Sequence, residues 1–177
     1  MFFNSSLLMP SHRTLFLIIF TFCFLSLATA LFLQYHDHLE PCPLCIFQRV
    51  AYMSVAFFAL IGFLTHKHTL LKRLSALLMS LGSLTGGGIA LRHVWIQHLP
   101  ADQVPDCGPG LNYLLDVFPL HKVVSLVLRG SGECAKIDWT LLGFSMPELS
   151  LAAFALITIV GLYLLVQPMP RRHSFRA

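Results

Sequence analysis

The sequence predicts an all-α membrane protein: a single-domain four-transmembrane-helix bundle with both termini cytoplasmic and two loops on the outer side. Three observations predict it. The 177-residue chain is 56% hydrophobic and only 11% charged, against about 25% charge in soluble domains, and its mean hydropathy is +0.73. Four long apolar runs each approach the roughly 20 residues that span a bilayer. Finally, the charges divide by side. Arg13, Lys67, Lys72, Arg73, Arg171, Arg172 and Arg176 fall on one side with no acid, and all the acids fall on the other. That is a positive-inside pattern, so the net charge of +4 reports topology and does not point to nucleic-acid binding.

The spans are expected at about 14–35, 46–64, 72–92 and 147–167, with outer loops at about 36–45 and 93–146. The first run carries Arg13 ahead of it and Ala28-Thr29-Ala30 near its end, which has the look of a cleavable leader. It nevertheless continues through Leu31, Phe32 and Leu33, beyond the core of about 7–15 residues usual in such a leader, and is expected to stay as a helix. The second run begins just after "EPCPLC", with Gln48 and Arg49 its main polar members. The third contains "TGGGIA", Thr85 to Ala90, where small residues serve helix packing. The second outer loop holds Pro100, Pro105, Pro109 and Pro119 with Gly108, Gly110, Gly130 and Gly132 and is expected to be mostly irregular, without a packed core of its own. Its apolar stretch "LHKVVSLVLRG" is too short to span and is expected on the membrane surface or against the bundle.

Cys23 lies within the first run, where a small buried hydrophobe is the expected role. Cys42, Cys45, Cys107 and Cys134 all fall on the outer side, where disulfides persist. Two inert disulfides, a four-thiolate zinc site and a thiol-exchange relay compete to explain them. Zinc ribbons supply two close pairs, whereas "DCGPG" and "GECAK" bring one cysteine each. Haem attachment needs His after the CxxC, and Ile46 stands there. A bridge from Cys42 to Cys45 would close almost no chain, so stability is a poor reason for it. As a redox unit at a helix N-terminus it makes sense, because the helix dipole favours a thiolate.

Arg49 stands four residues after Cys45 and is expected on the same helical face. A guanidinium there would stabilise a Cys45 thiolate facing lipid; snorkelling to the headgroups is the alternative. A thiolate at that depth can meet an acceptor dissolved in the membrane, and quinones are the obvious ones. His36 and His38 flank Asp37 ahead of the CxxC; solvation or adventitious metal is expected there, and no metal site is expected in the protein.

These residues resemble the DsbB family, the bacterial disulfide bond formation protein B. "PCPLCIFQR" is similar to its CxxC-plus-arginine motif, "DCGPG" and "SGECAKIDWTLLGFSMPELS" to its second outer loop, and "LRHVWIQHLP" to the end of its third span. The resemblance covers about residues 14–168. It implies a protein dithiol:quinone oxidoreductase of the bacterial inner membrane, multi-pass, with its active site on the periplasmic side. It implies redox-active disulfides Cys42–Cys45 and Cys107–Cys134, and a periplasmic DsbA-like thioredoxin-fold oxidase that attacks the second pair at Cys107. It implies a Cys42–Cys134 link as intermediate. The electrons would leave through Cys45 to ubiquinone or menaquinone from the membrane quinone pool, with Arg49 stabilising the charge. His93 is a further candidate for the quinone pocket. The lipid bilayer is the other partner; nucleic acid is not. An enzyme of the vitamin K epoxide reductase type would be expected to carry its CxxC near a late span. A non-enzymatic bundle stapled by two disulfides would tolerate loss of Cys45 or Arg49 with no effect beyond stability.

Overall fold

A computed structural model describes residues 11–36, 41–65, 68–100, 102–108, 110–137 and 139–167. Asp37 and His38 lie outside these residues, and His36 stacks on Phe32. Four helices are long and apolar enough to cross a membrane: α1 (His12–His36), α2 (Pro43–Leu64), α3 (Thr69–Gln97) and α6 (Met146–Val166). Between the last two come α4 (Leu111–Val117), α5 (Leu120–Arg129), a 3₁₀ turn (Gly132–Ala135), and a hairpin of β1 (Thr140–Leu141) and β2 (Phe144–Ser145). Consecutive long helices run antiparallel, because Phe16 meets Gly62, Ala51 meets Gly86, and Ser83 meets Phe154 while Gln97 meets Ser145.

The long helices bury narrow stripes and expose large apolar side chains elsewhere, as lipid solvation requires. In α1, Phe16, Ile19 and Cys23 are buried, whereas Ile18, Phe24, Leu25 and Phe32 are more than half exposed. Cys23 is thus the small core residue expected of it. Helix α3 is central, and its buried stripe is small: Ser75, Ala76, Ser80, Ser83, Gly86 and Ala90 among others. Small residues let helix backbones approach where lipid removes the usual hydrophobic drive. A Cβ on Gly86 would lie 2.6 Å from the Phe154 ring and 2.9 Å from Ala51, so the glycine-rich stretch does serve packing. Phe154 in turn stacks on Tyr52 with centroids 4.3 Å apart. Ser83 Oγ donates to the Phe154 carbonyl at 2.7 Å, and Thr158 Oγ1 donates to Ser83 Oγ at 3.1 Å, so buried hydroxyls in the apolar layer are satisfied.

The loop after α3 departs from expectation. Rather than mostly irregular chain, it forms two short helices, a turn and a hairpin, and it does build a small core. Leu114, Val123, Val127 and Cys134 from the loop cluster with Leu44 of α2 and Ile96 of α3. The core is possible because the ends of α2 and α3 supply one wall of it, so the loop need not bury its apolar surface alone. Helix α5 turns Val123 and Val127, four residues apart, into that wall. Its C-terminal carbonyls are capped by Arg92, whose Nε donates to Leu128 O at 3.2 Å and whose second terminal nitrogen donates to Arg129 O at 3.0 Å. Gly130, at φ +85°, makes the turn beyond, with Ile96 filling the place of a side chain. Helix α6 starts at Ser145, whose N–H donates to Glu148 Oε2 at 2.7 Å and whose Oγ donates to Gln97 Oε1 at 2.9 Å. The loop is therefore tied at both ends to the same end of the bundle.

Candidate redox site

The site begins with how α2 starts. Cys42 is its N-cap in extended conformation, and Pro43 occupies the first helical position, where a missing N–H costs nothing. The Cys42 sulfur takes the role usually played by a hydroxyl or carboxylate, accepting from the Cys45 N–H at 3.4 Å. Helical geometry then brings the Cys45 thiol back over the cap, with Sγ to Sγ 3.1 Å. All five cysteines are free thiols. Cys42 is buried and Cys45 only half so, which leaves Cys45 as the reachable member of the pair.

Helix α3 supplies His93, which is 2% exposed and stands against both sulfurs. Its Nε2 is 3.7 Å from Cys42 Sγ and its Nδ1 is 4.0 Å from Cys45 Sγ. The ring is held from two sides. Nε2 is 3.1 Å from the Cys134 carbonyl, and Nδ1 is 3.1 Å from Gln48 Nε2. A carbonyl oxygen only accepts and an amide NH₂ only donates. The two contacts together favour the tautomer with its proton on Nε2 and its lone pair on Nδ1.

The second loop supplies Cys134. It is fully buried on the 3₁₀ turn, its thiol hydrogen-bonds with that of Cys42, and Ser131 Oγ lies 3.8 Å from its sulfur. The hydrogen bond to Cys42, and then burial, hold its pKa well above the usual thiol range. Cys107 is exposed. It sits over Gly132 of the same turn, where a Cβ would lie 3.2 Å from its sulfur, and Gly132 N–H donates to Asp106 O at 3.3 Å. The turn thus presents Cys134 inward, and the 105–107 segment packed against it carries Cys107 on the exposed side.

Arg49, one turn along α2 from Cys45 and within electrostatic reach of it, makes its hydrogen bonds to α1. Its guanidinium donates to the Ala30 carbonyl of α1 at 3.2 Å and to Gln34 Oε1. Successive helical residues point about 100° apart, so Gln48 takes the α3 side and Arg49 the α1 side. Gln48, 5% exposed, is the site residue that sequence reasoning missed. Its signal in the sequence is its place beside Arg49 as one of the main polar members of the second apolar run. Cys42, Cys45, His93 and Cys134 are therefore gathered, Cys107 lies next to them on the outer surface, and Arg49 buttresses the α1–α2 contact one turn below.

Residues 12–164 match the family model described as disulfide bond formation protein DsbB. Among similar proteins, each bearing the name disulfide bond formation protein B, that of Acinetobacter baylyi is 55% identical over 142 residues, 80% of this chain and 83% of its own. That of Psychrobacter cryohalolentis is 50% identical over 163 residues, 89% and 90% of the two chains. That of Methylococcus capsulatus is 47% identical over 154 residues, 87% and 91%. With a match over nearly the whole membrane unit and a thiol cluster at one end of a four-helix bundle, the chain belongs to the DsbB family of disulfide bond formation proteins.

Proposed function

We propose that this protein reoxidises a periplasmic DsbA-type dithiol oxidase and passes the electrons to a membrane quinone. The single observation that carries the reading is the meeting of Cys134 with Cys42. It puts a loop cysteine in reach of the CxxC across the helix end, so a thiol-exchange chain has no gap to cross. The bundle would lie in the bacterial inner membrane with termini in the cytoplasm and the cluster facing the periplasm, consistent with the sided charges.

The chain of exchanges balances as follows. The partner dithiol attacks a Cys107–Cys134 disulfide at Cys107, the exposed sulfur, and is itself resolved to a disulfide, leaving Cys107 and Cys134 reduced. Cys134 attacks Cys42 of a Cys42–Cys45 disulfide, forming the Cys42–Cys134 bond and releasing Cys45 as a thiolate. Cys107 attacks Cys134, restoring the loop disulfide and leaving Cys42 reduced. A quinone, seated beside Cys45 with Arg49 and His93 flanking it, accepts the two electrons and two protons and the CxxC disulfide reforms. The net change is partner dithiol plus quinone to partner disulfide plus quinol.

His93 suits the middle of this sequence. With Nε2–H engaged by Cys134 O, its Nδ1 lone pair faces Cys45 and can take or return a proton there. Arg49, fixed by two acceptors on α1, keeps further N–H donors close to the lipid edge. A DsbA oxidase has an established potential of about −120 mV, so only a still stronger and continuously renewed oxidant can drain it.

The test is quinone reduction followed by absorbance with purified protein and a reduced DsbA-type donor. Wild type is expected to turn over only with donor, and Cys45→Ala not at all. Persistent turnover in that variant, or none in wild type with either ubiquinone or menaquinone analogues, would overturn the reading.

A further inference from the structure

We infer that the reduced site is also a binding site for a soft divalent cation, Zn²⁺, held by Cys42, Cys45 and His93 with Cys134 completing the shell. The observation behind it is geometric. One ligand atom from each of the first three residues lies within 4.8 Å of the others, and these residues come from two helices that the bundle core holds in place. A tetrahedral Zn²⁺, with bonds of about 2.3 Å to sulfur and about 2.0–2.1 Å to nitrogen, needs ligand atoms about 3.5–3.8 Å apart. Cys45 Sγ and His93 Nδ1 are 4.0 Å apart, and the two sulfurs 3.1 Å. Small rotamer adjustments, chiefly parting the two sulfurs, reach the required spacing.

The surroundings are those of a metal-ligating histidine. Such a ring donates its second N–H to a carbonyl or carboxylate, which fixes the tautomer and leaves the other nitrogen free to ligate. His93 already meets this condition, with Nε2–H on the Cys134 carbonyl at 3.1 Å and the Nδ1 lone pair turned toward Cys45. Gln48 Nε2, now 3.1 Å from Nδ1, would yield that position to the metal. The donor set differs from a four-cysteine site, because Cys107 is exposed and points outward while a histidine 41 residues before Cys134 takes its place.

Binding requires thiolates. Taking up Zn²⁺ through three cysteines releases three protons, the neutral imidazole releasing none, and no electrons move. Affinity therefore rises with pH. A Cys42–Cys45 disulfide has no thiolate to offer, so the metal selects the reduced protein. On the electron-transfer reading above, it would hold the protein there by occupying both CxxC sulfurs.

The experiment reads metal directly. Protein reduced and freed of reductant is titrated with Co²⁺ as a spectroscopic stand-in, then Zn²⁺ is used to displace it, with bound metal counted by elemental analysis. Wild type is expected to bind one ion per chain, with thiolate-to-cobalt charge-transfer bands and the intense visible bands of a tetrahedral ion. Cys42→Ser is expected to weaken binding at least about 100-fold, and His93→Ala comparably. Cys134→Ser should keep the ion but lose about a third of the charge-transfer intensity, one thiolate in three. Cys107→Ser should bind as wild type does while failing in donor-dependent quinone reduction, which separates this proposal from the electron-transfer reading. Absence of stoichiometric metal in the reduced wild type, or binding unchanged in Cys42→Ser, would overturn the site. Unchanged charge-transfer intensity in Cys134→Ser would overturn the four-ligand shell.

Discussion

The carbonyl of Cys134 accepts from His93 Nε2 at 3.1 Å, joining the loop after α3 to that helix at the point where it meets the CxxC. It positions Cys134 by the main chain and orients the imidazole between two thiols.

Cys134 should be a slow nucleophile in the fully reduced protein. Its pKa is raised from the ordinary 9.0 by the hydrogen bond to Cys42 and by burial. Alkylation by iodoacetamide, followed by mass spectrometry, is expected to modify Cys107 first, with Cys134 lagging well behind at neutral pH. The Cys134 rate should still be climbing about tenfold per pH unit near pH 9, because only the thiolate reacts. The same raised value means that the native state holds this proton after the unfolded chain has lost it. Its contribution to stability is thus complete below pH 9.0 and lost as pH rises above it. Cys42→Ala should bring the alkylation profile of Cys134 down toward the ordinary range.

Gln48→Met should cost stability out of proportion to its size. The substitution nearly conserves volume but leaves the buried Nδ1 of His93 without its donor, a loss of about 1–3 kcal/mol. Thermal unfolding in detergent, compared with wild type, is the measurement; an unchanged midpoint would show that the ring finds another partner.

Two glycines of α3 should respond in opposite ways. Gly86→Ala drives a methyl into Phe154 and Ala51, both within 3 Å of its Cβ, and overpacking of this kind costs about 1–3 kcal/mol. Gly88→Ala meets nothing within 4 Å and should be neutral or slightly stabilising, since alanine favours the helix. Paired unfolding measurements decide the matter.

Gly132→Val should separate the loop cysteines without harming the bundle. Its Cβ would lie 2.9 Å from the Pro105 carbonyl and 3.2 Å from Cys107 Sγ, so the 105–107 segment must move away from the turn carrying Cys134. In a variant lacking Cys42 and Cys45, oxidation should then give markedly less Cys107–Cys134 disulfide than the Gly132 parent, by non-reducing mass mapping, with helical circular dichroism unchanged.

Much of this protein is local in origin, and that part was legible in the sequence. Each spanning helix satisfies its own backbone in lipid, so apolar run length alone marks α1, α2, α3 and α6. Cys42 caps α2 because Pro43 follows it and Cys45 stands three residues on, a relationship contained in "CPLC". Gly86, within the small-residue stretch of the third run, marks a close helix contact.

Only the tertiary structure decided what crosses between helices. Arg49 and Gln48 divide between α1 and α3 according to the azimuth at which α2 docks, which no local signal encodes, and this anchors Arg49 on Ala30 and Gln34 while it stays within electrostatic reach of Cys45. The loop core exists because Leu44 and Ile96, 52 positions apart by their numbers, together form a wall that neither helix end has alone. His93 enters the site, with Cys134 and not Cys107 facing Cys42, because chain 41–51 residues distant is brought there by packing. Contacts of that range depend on how whole helices seat against one another, and the sequence states the residues while the packing chooses which of them meet.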